Sequence, residues 1–110
     1  MPTLFQKKVY ALCSRIPEGK VSTYREIGDA IGSTGMIYRA VGVALKCNPF
    51  APIVPCHRVV ASDGSIGGFH GHTTGEFIQK KIALLEKEGV AVKDGKIVNF
   101  EKKLFQFDKP

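Results

Sequence analysis

The chain has no apolar run near the ~18 residues that a membrane-spanning helix needs. Its first residues, MPTLFQKK, lack the basic, apolar, small-residue order of a secretion signal. These two absences place the expected location in the cytoplasm, or in the nucleus if the source is eukaryotic. Cysteine is scarce: Cys13, Cys47 and Cys56 are an odd set of 3. That excludes a complete disulfide framework and fits free thiols in a reducing compartment. No internal repeat or low-complexity segment occurs, which excludes solenoids and long disordered tracts. Acidic residues are outnumbered, 10 Asp and Glu against 16 Lys and Arg, leaving a formal charge of +6. Such an excess favours polyanionic partners, although solvated lysines alone would also produce it. With 110 residues, 44% of them hydrophobic, the chain is expected to form one domain spanning 1–110.

Helix signals then follow in order. Thr3 to Ser14 reads as a helix: Thr3 and Gln6 stand at capping-box spacing, and Phe5, Val9 and Leu12 make one apolar face. After the Pro17-Glu18-Gly19 break, Thr23 and Glu26 repeat the capping box. Ile27, Ala30 and Ile31 form the buried stripe, and Gly32 is placed to close the helix in the left-handed conformation. A third helix is expected from Met36 to Leu45, so that residues 23–45 read as a helix-turn-helix. Two closely packed short helices without a DNA role would look the same. Pro49, Pro52 and Pro55 exclude a regular helix in the next stretch, and a glycine-rich loop follows, making 48–72 the candidate active-site loop. Thr73 to Glu88 reads as a fourth helix closed by Gly89. Val90 to Val98 reads as a hairpin with a type I′ turn at Asp94-Gly95 and Val92 opposite Ile97. The tail 101–110 is expected either to pack on the core or to fray. The fold class is mainly α with a small β-hairpin, resembling a winged helix-turn-helix.

Cys56 is the chemically conspicuous residue. It lies in a proline-held apolar loop beside His57 and Arg58. Reactivity at neutral pH needs a base or a positive field near the thiol, because the thiolate is the nucleophile. Neighbours on an extended strand point to opposite sides, so His57 can serve only if the backbone turns at Cys56 or a water bridges the two. A carboxylate would then orient the imidazole. A zinc site built on Cys56, His57, His70 and His72 is the rival, but no C-x-x-C exists and contiguous Cys56 and His57 strain joint ligation. No metal and no cofactor are expected.

Pro55-Cys56-His57-Arg58-Val59-Val60 resembles the active-site signature of the O6-alkylguanine-DNA alkyltransferases, the methylated-DNA–protein-cysteine methyltransferases. Val21 to Tyr24, Arg39 to Gly42, Asn48-Pro49, Asp63 to Phe69 and Leu84 to Gly89 follow in the family's order. The resemblance implies single-turnover repair: duplex DNA bound through the minor groove, the damaged base flipped out, and its alkyl group moved irreversibly to cysteine. By position it implies Cys56 as nucleophile, His57 as proton relay through a water, Glu88 as the carboxylate orienting His57, and Asn48 as the holder of the turn. It implies Arg39 as a finger filling the stack and Tyr24 as a phosphate-crowding donor to guanine N3. Ser22, Thr23 and Ala40 join Tyr24 and Arg39 on the DNA-binding surface. The base pocket would comprise Tyr24, Leu45, Cys56, Val59, Gly68, Phe69 and His70, with carbonyls of Cys56 and Val59 accepting from the guanine amino group. The partner implied is double-stranded DNA containing O6-alkylguanine, bound by a monomer, with cooperativity along DNA left open and no membrane involved.

Three departures from the family pattern stand out. Thr3 already begins the catalytic part, where the family usually has a preceding domain. His70 stands where a hydroxyl residue is common. Tyr38 occupies a commonly small position beside the finger. Two rival readings accompany the repair reading. One is an alkyltransferase-like protein that binds the lesion without repairing it, a class that usually replaces the nucleophile. The other is a sequence-specific transcription factor, which leaves Cys56, His57 and Glu88 without a joint role.

Overall fold

The computed structural model describes residues 3–32, 37–51, 53–69 and 75–107. Helix α1 spans Leu4–Cys13 and begins as its sequence dictates. The Thr3 hydroxyl accepts from the Gln6 N–H at 3.1 Å, and the Thr3 N–H donates to the Gln6 side chain at 2.9 Å. Each satisfies a backbone or side-chain group that a bare helix start leaves open. Val9 and Cys13 are fully buried, and Phe5 and Leu12 pack partly against the same core.

Helix α2, Tyr24–Ile31, is capped by the Thr23 hydroxyl, which accepts from the Glu26 N–H at 3.0 Å. Gly32 closes it, but at φ −179°, so the left-handed closure expected there does not form. Helix α3 runs Ile37–Lys46; Met36, its expected first residue, lies outside the described residues. The two helices meet closely. A Cβ on Gly28 would stand 2.5 Å from the Tyr38 ring, so glycine is what lets Tyr38 lie across α2. The Tyr38 hydroxyl donates to Asp29 at 2.5 Å. Tyr38 thus lies half-buried across α2. Val9, Ile27, Val41, Ala44 and Leu45 from the three helices share one core, and the Tyr10 hydroxyl donates to the Ala44 carbonyl at 2.8 Å.

A second, smaller core of Val21, Val60, Leu85, Val90 and Ile97 lies under short strands. Strand β1, Ser22–Thr23, pairs in parallel with β2, Val59–Val60, setting Ser22 against Val59. This pair was not expected, because two-residue strands carry no readable periodicity. It joins the start of α2 to the residues just after Cys56. The hairpin β3, Val92–Lys93, and β4, Lys96–Ile97, has the expected register of Val92 opposite Ile97. Asp94 and Gly95 both take positive φ, 52° and 74°, as a type I′ turn requires.

Helix α4 spans Glu76–Lys87, starting three residues later than expected on a Gly75 N-cap with no side-chain cap. Thr73, the expected cap, lies outside the described residues. Gly89 follows α4 at φ +87°, as expected of a closing glycine. The described part of the tail, 101–107, packs on the core. Helix α5, Phe100–Lys103, leads into backbone bonds on both sides of Val21, and Phe107 is buried. Residues 108–110 lie outside the description.

The Tyr10–Ala44 bond is buried and ties α1 to the end of α3, directly before the active-site loop. Tyr10→Phe leaves the Ala44 carbonyl without that donor. We expect a loss of about 1–3 kcal/mol, the cost of an unsatisfied buried acceptor. In urea this should appear as a lower midpoint at unchanged slope; an unchanged midpoint would show that the carbonyl finds another donor.

Candidate active site

Pro55 holds φ −81° and ψ 66°, and the chain then makes one 3-10 turn over Cys56–Arg58. This is the backbone turn that the sequence required if Cys56 and His57 were to act together. The turn is held at both ends. The Cys56 N–H donates to Val54 O at 2.8 Å, and the Arg58 N–H donates to Pro55 O at 2.9 Å. Asn48 staples the preceding loop: its Nδ2 donates to Val54 O at 3.0 Å, and its Oδ1 accepts from the Phe50 N–H at 2.9 Å.

Behind the turn, His57 Nε2 lies 2.9 Å from Glu88 Oε2. Arg58 grips the same carboxylate with two donors, Nε to Oε1 at 2.9 Å and Nη2 to Oε2 at 2.8 Å. Its Nη1 donates to Ile16 O at 2.8 Å. Glu88 is therefore fixed by a planar fork from one side and an imidazole from the other. Burial would raise the Glu88 carboxyl, but the Arg58 and His57 hydrogen bonds outweigh it and hold it below its ordinary value. Burial pulls His57 down, opposed by Glu88, so the imidazole is neutral at neutral pH. A neutral imidazole has one donor and one acceptor. With Glu88 taking the Nε2 proton, the lone pair sits on Nδ1, which is buried and has no hydrogen-bond partner among the described residues.

Cys56 and His57 open onto a cavity of about 330 Å³ lined also by Ala51, Phe69, Phe77, Lys80 and Leu84. Burial pushes the Cys56 thiol up; Asn48, the field of Lys81 and the backbone amides work against it. Across from the turn, the Tyr24 hydroxyl donates to Gly68 O at 3.4 Å, and burial raises that phenol to about 12. Gly67 takes φ +70°, and a Cβ there would stand 3.2 Å from the Tyr24 oxygen. The glycine is thus needed for both its conformation and the close approach.

The structure brings Cys56, His57, Glu88 and Asn48 together, with Tyr24, Gly68 and Phe69 close by. Val59 and Leu45 are core residues, 0% and 5% exposed. His70 lies outside the described residues. Arg39 and Ala40 sit on the outward side of α3, lining a groove of about 440 Å³ against Thr3, Phe5 and Gln6 of the chain's start. Two DNA-surface expectations do not hold. Ser22 and Thr23 are buried, 0% and 3% exposed. Their hydroxyls are committed to the Phe105 carbonyl at 2.9 Å and to the cap of α2, so neither hydroxyl faces a nucleic acid. Among the described residues no group of three or more His, Cys, Asp or Glu gathers as a metal site.

Two residues were missed by the sequence reading. Arg58 was noted only as a polar neighbour, although its fork is what grips Glu88. Lys81 is completely buried, and its ammonium donates to the carbonyls of Val59, Ile66 and Gly68 at 2.8, 2.6 and 2.9 Å. A signal was present: Lys81 falls at i+3 from Ile78 and i−4 from Leu85, on the apolar stripe of α4.

A buried thiol, a neutral imidazole and an anchored carboxylate beside a helix-turn-helix define a nucleophile-bearing site on a DNA-binding type of fold. Residues 4–90 match the model of the 6-O-methylguanine DNA methyltransferase DNA binding domain, and the chain belongs to that family. It is 46% identical over 88 residues to a methylated-DNA–protein-cysteine methyltransferase of Saccharolobus islandicus, covering 80% of this chain and 52% of that protein. The corresponding protein of Methanosarcina barkeri is 47% identical over 79 residues, covering 71% and 49%. The chain thus spans about half the length of the curated relatives it matches. Among solved structures, Mycobacterium tuberculosis OGT in complex with DNA superposes with a TM-score of 0.69 at 44% identity, covering 80% of this chain and 51% of that one. Schizosaccharomyces pombe Atl1, in complex with damaged DNA containing O6-carboxymethylguanine, superposes with a TM-score of 0.79 at 33% identity, covering 96% and 99%.

The buried pair sets the acid response of stability. The folded His57 titrates below its ordinary 6.5, so its contribution is complete above that value and declines as pH falls below it. Glu88 adds a second loss as pH falls through its depressed folded value, below 4.5. Melting temperature should therefore drop between pH 7 and pH 5, and His57→Gln should flatten that step. A wild-type melting temperature independent of pH over this range would contradict a buried neutral imidazole.

Proposed function

We propose that this chain repairs DNA by transferring an alkyl group, methyl in the simplest case, from O6 of guanine to Cys56, once per molecule. The observation that supports it best is the Cys56–His57–Glu88 arrangement at the mouth of a cavity, in a chain of this family. The partner is double-stranded DNA carrying O6-alkylguanine, and the setting is whichever compartment holds it, cytoplasm or nucleus. No helix among the described residues is long and apolar enough to cross a membrane.

In this reading the Cys56 proton passes through an intervening water to His57 Nδ1, and Glu88 stabilises the imidazolium that forms. The sulfur attacks the alkyl carbon in line. A C–S bond forms as the C–O bond to guanine breaks, and the guanine leaves with its electron pair and takes up a proton. Tyr24, whose raised phenol keeps its proton at neutral pH, donates to the leaving base. The carbon–sulfur bond is a stable thioether, so no step regenerates the thiol. Asn48 keeps the nucleophile's loop in register with α3, and Arg39 on that helix fills the space the base vacates. The positive charge supplies phosphate affinity, which should fall steeply with salt.

One observation favours lesion binding without transfer: the near-complete mutual coverage with Atl1. Retention of Cys56 with a base and carboxylate behind it favours transfer. Incubating the protein with a duplex containing O6-methylguanine and weighing the Cys56 peptide decides between them. Transfer predicts one added methyl at stoichiometric exposure, abolished by Cys56→Ala with lesion binding retained. Tight lesion-selective binding with unmodified Cys56 would select the binding reading. Equal affinity for damaged and intact duplex, with strong dependence on base sequence, would overturn both.

Extruding a base costs a few kcal/mol. Arg39→Ala should therefore slow transfer from duplex about 10- to 100-fold, each tenfold being about 1.4 kcal/mol. Reaction with the free O6-alkylguanine base should be nearly unchanged. Equal losses on both substrates would contradict the finger role.

A further inference from the structure

Lys81 is the one fully buried cation among the described residues, and the mechanism above gives it no part. Burial pulls the Lys81 ammonium down to about 7, but three carbonyl acceptors favour the charged form, whose three donors are all used, on Val59 O, Ile66 O and Gly68 O. These carbonyls belong to two segments that bring Cys56 and Phe69 to the cavity and so form two of its walls. Val59 opens β2 directly after the Cys56 turn, and Ile66 and Gly68 belong to the glycine loop that Tyr24 touches through the same Gly68 oxygen. The two walls have different anchors elsewhere. β2 is paired to β1, while the loop rests on the hairpin through the Ile66 N–H to Gly95 O at 2.8 Å. Lys81, reaching from α4, is bonded to both.

We infer that Lys81 is a positioning residue that fixes the separation and carbonyl orientation of the two walls of the base pocket, and so governs which base the pocket accepts. This rests on the proposed alkyl transfer and deepens it. A backbone carbonyl has two lone pairs. At Val59 the ammonium occupies one and aims the other, leaving it for the amino group of the incoming guanine. At Gly68 the ammonium and the Tyr24 hydroxyl share the oxygen, so lysine, tyrosine and loop hold one another in place. A side chain with fewer donors would leave a wall free to shift, and misplacement of a reacting group by about 1 Å can cost on the order of 100-fold in rate.

The test compares two electrophiles on wild type, Lys81→Met and Lys81→Gln. One is O6-methylguanine in duplex DNA, which needs the pocket. The other is iodoacetamide, read on the Cys56 peptide, which does not. We expect methyl transfer to fall about 100-fold in Lys81→Met, with Lys81→Gln, which keeps two donors, between it and wild type. Iodoacetamide alkylation should fall much less, because it loses only the Lys81 field at the thiol and not the pocket. Parallel losses on both reagents would overturn the inference, assigning Lys81 to the thiol itself. Unchanged transfer would overturn it too, leaving only a fold-stabilising role. Melting curves accompany each variant, and Lys81→Gln carries the comparison if Lys81→Met does not fold. If wild type binds the lesion without transferring methyl, the proposed repair fails separately. The same variants are then read by their affinity ratio for lesion over intact duplex: a collapsed ratio supports the inference and an unchanged one overturns it.

Discussion

The Glu88 carboxylate is where three separate parts of the chain close on one another. It sits at the end of α4 and takes two donors from Arg58 and one from His57, both in the turn that carries Cys56. Arg58 in turn reaches the Ile16 carbonyl, just beyond α1. A largely buried carboxylate is tolerable only when it is paired and hydrogen-bonded. Satisfying it fixes the rotamers of its partners, and with them the imidazole's tautomer and the face it turns to the cavity. The arrangement acts as one unit: the charge that neutralises Glu88 is the same guanidinium that locks the turn.

Around this unit the scaffold divides its labour. The helical core of α1, α2 and α3 presents an outward helix carrying Arg39 and also packs Cys56 and Val59, while the smaller core lies under the strands and the end of α4. Three polar ties from side chain to backbone hold segments of this scaffold together. Tyr10 reaches Ala44 at the end of α3, Asn48 reaches Val54 ahead of the turn, and Lys81 reaches both pocket walls. Buried ties to backbone specify position more strictly than apolar contact, because leaving them unmade is costly. A nucleophile that reacts once has no later cycle in which to correct a poor approach, so such rigidity suits the proposed chemistry.

Much of this was legible in the sequence where the signal is local. The Thr3–Gln6 box, the Asp94-Gly95 turn and Gly89 are short-range chemistry, and each formed as read; of the Thr23–Glu26 box only the Thr23 cap is present. The adjacency of Cys56 and His57 was legible too, along with the requirement that the backbone turn there. What stayed hidden depends on distant partners. The β1–β2 pair is too short to show a period. The packing of Phe107 depends on a surface that other segments build. Motif position alone puts Ser22 and Thr23 on the DNA-binding surface, and their burial follows from pairing with β2 and from the Phe105 carbonyl. Lys81 and Arg58 were passed over because a charged residue near an apolar stripe is usually solvated. Only the assembled carbonyls and the Glu88 carboxylate show otherwise.

The central claim is that burial and the Arg58 charge keep His57 neutral against the pull of Glu88, while Glu88 holds its proton on Nε2 and leaves the Nδ1 lone pair available to the thiol. Nitrogen-15 NMR of the imidazole ring reads this directly. The account predicts an Nε2–H tautomer at neutral pH, with an Nδ1 shift typical of an unprotonated nitrogen. An Nδ1–H tautomer, or an imidazolium already protonated at pH 7, would contradict it.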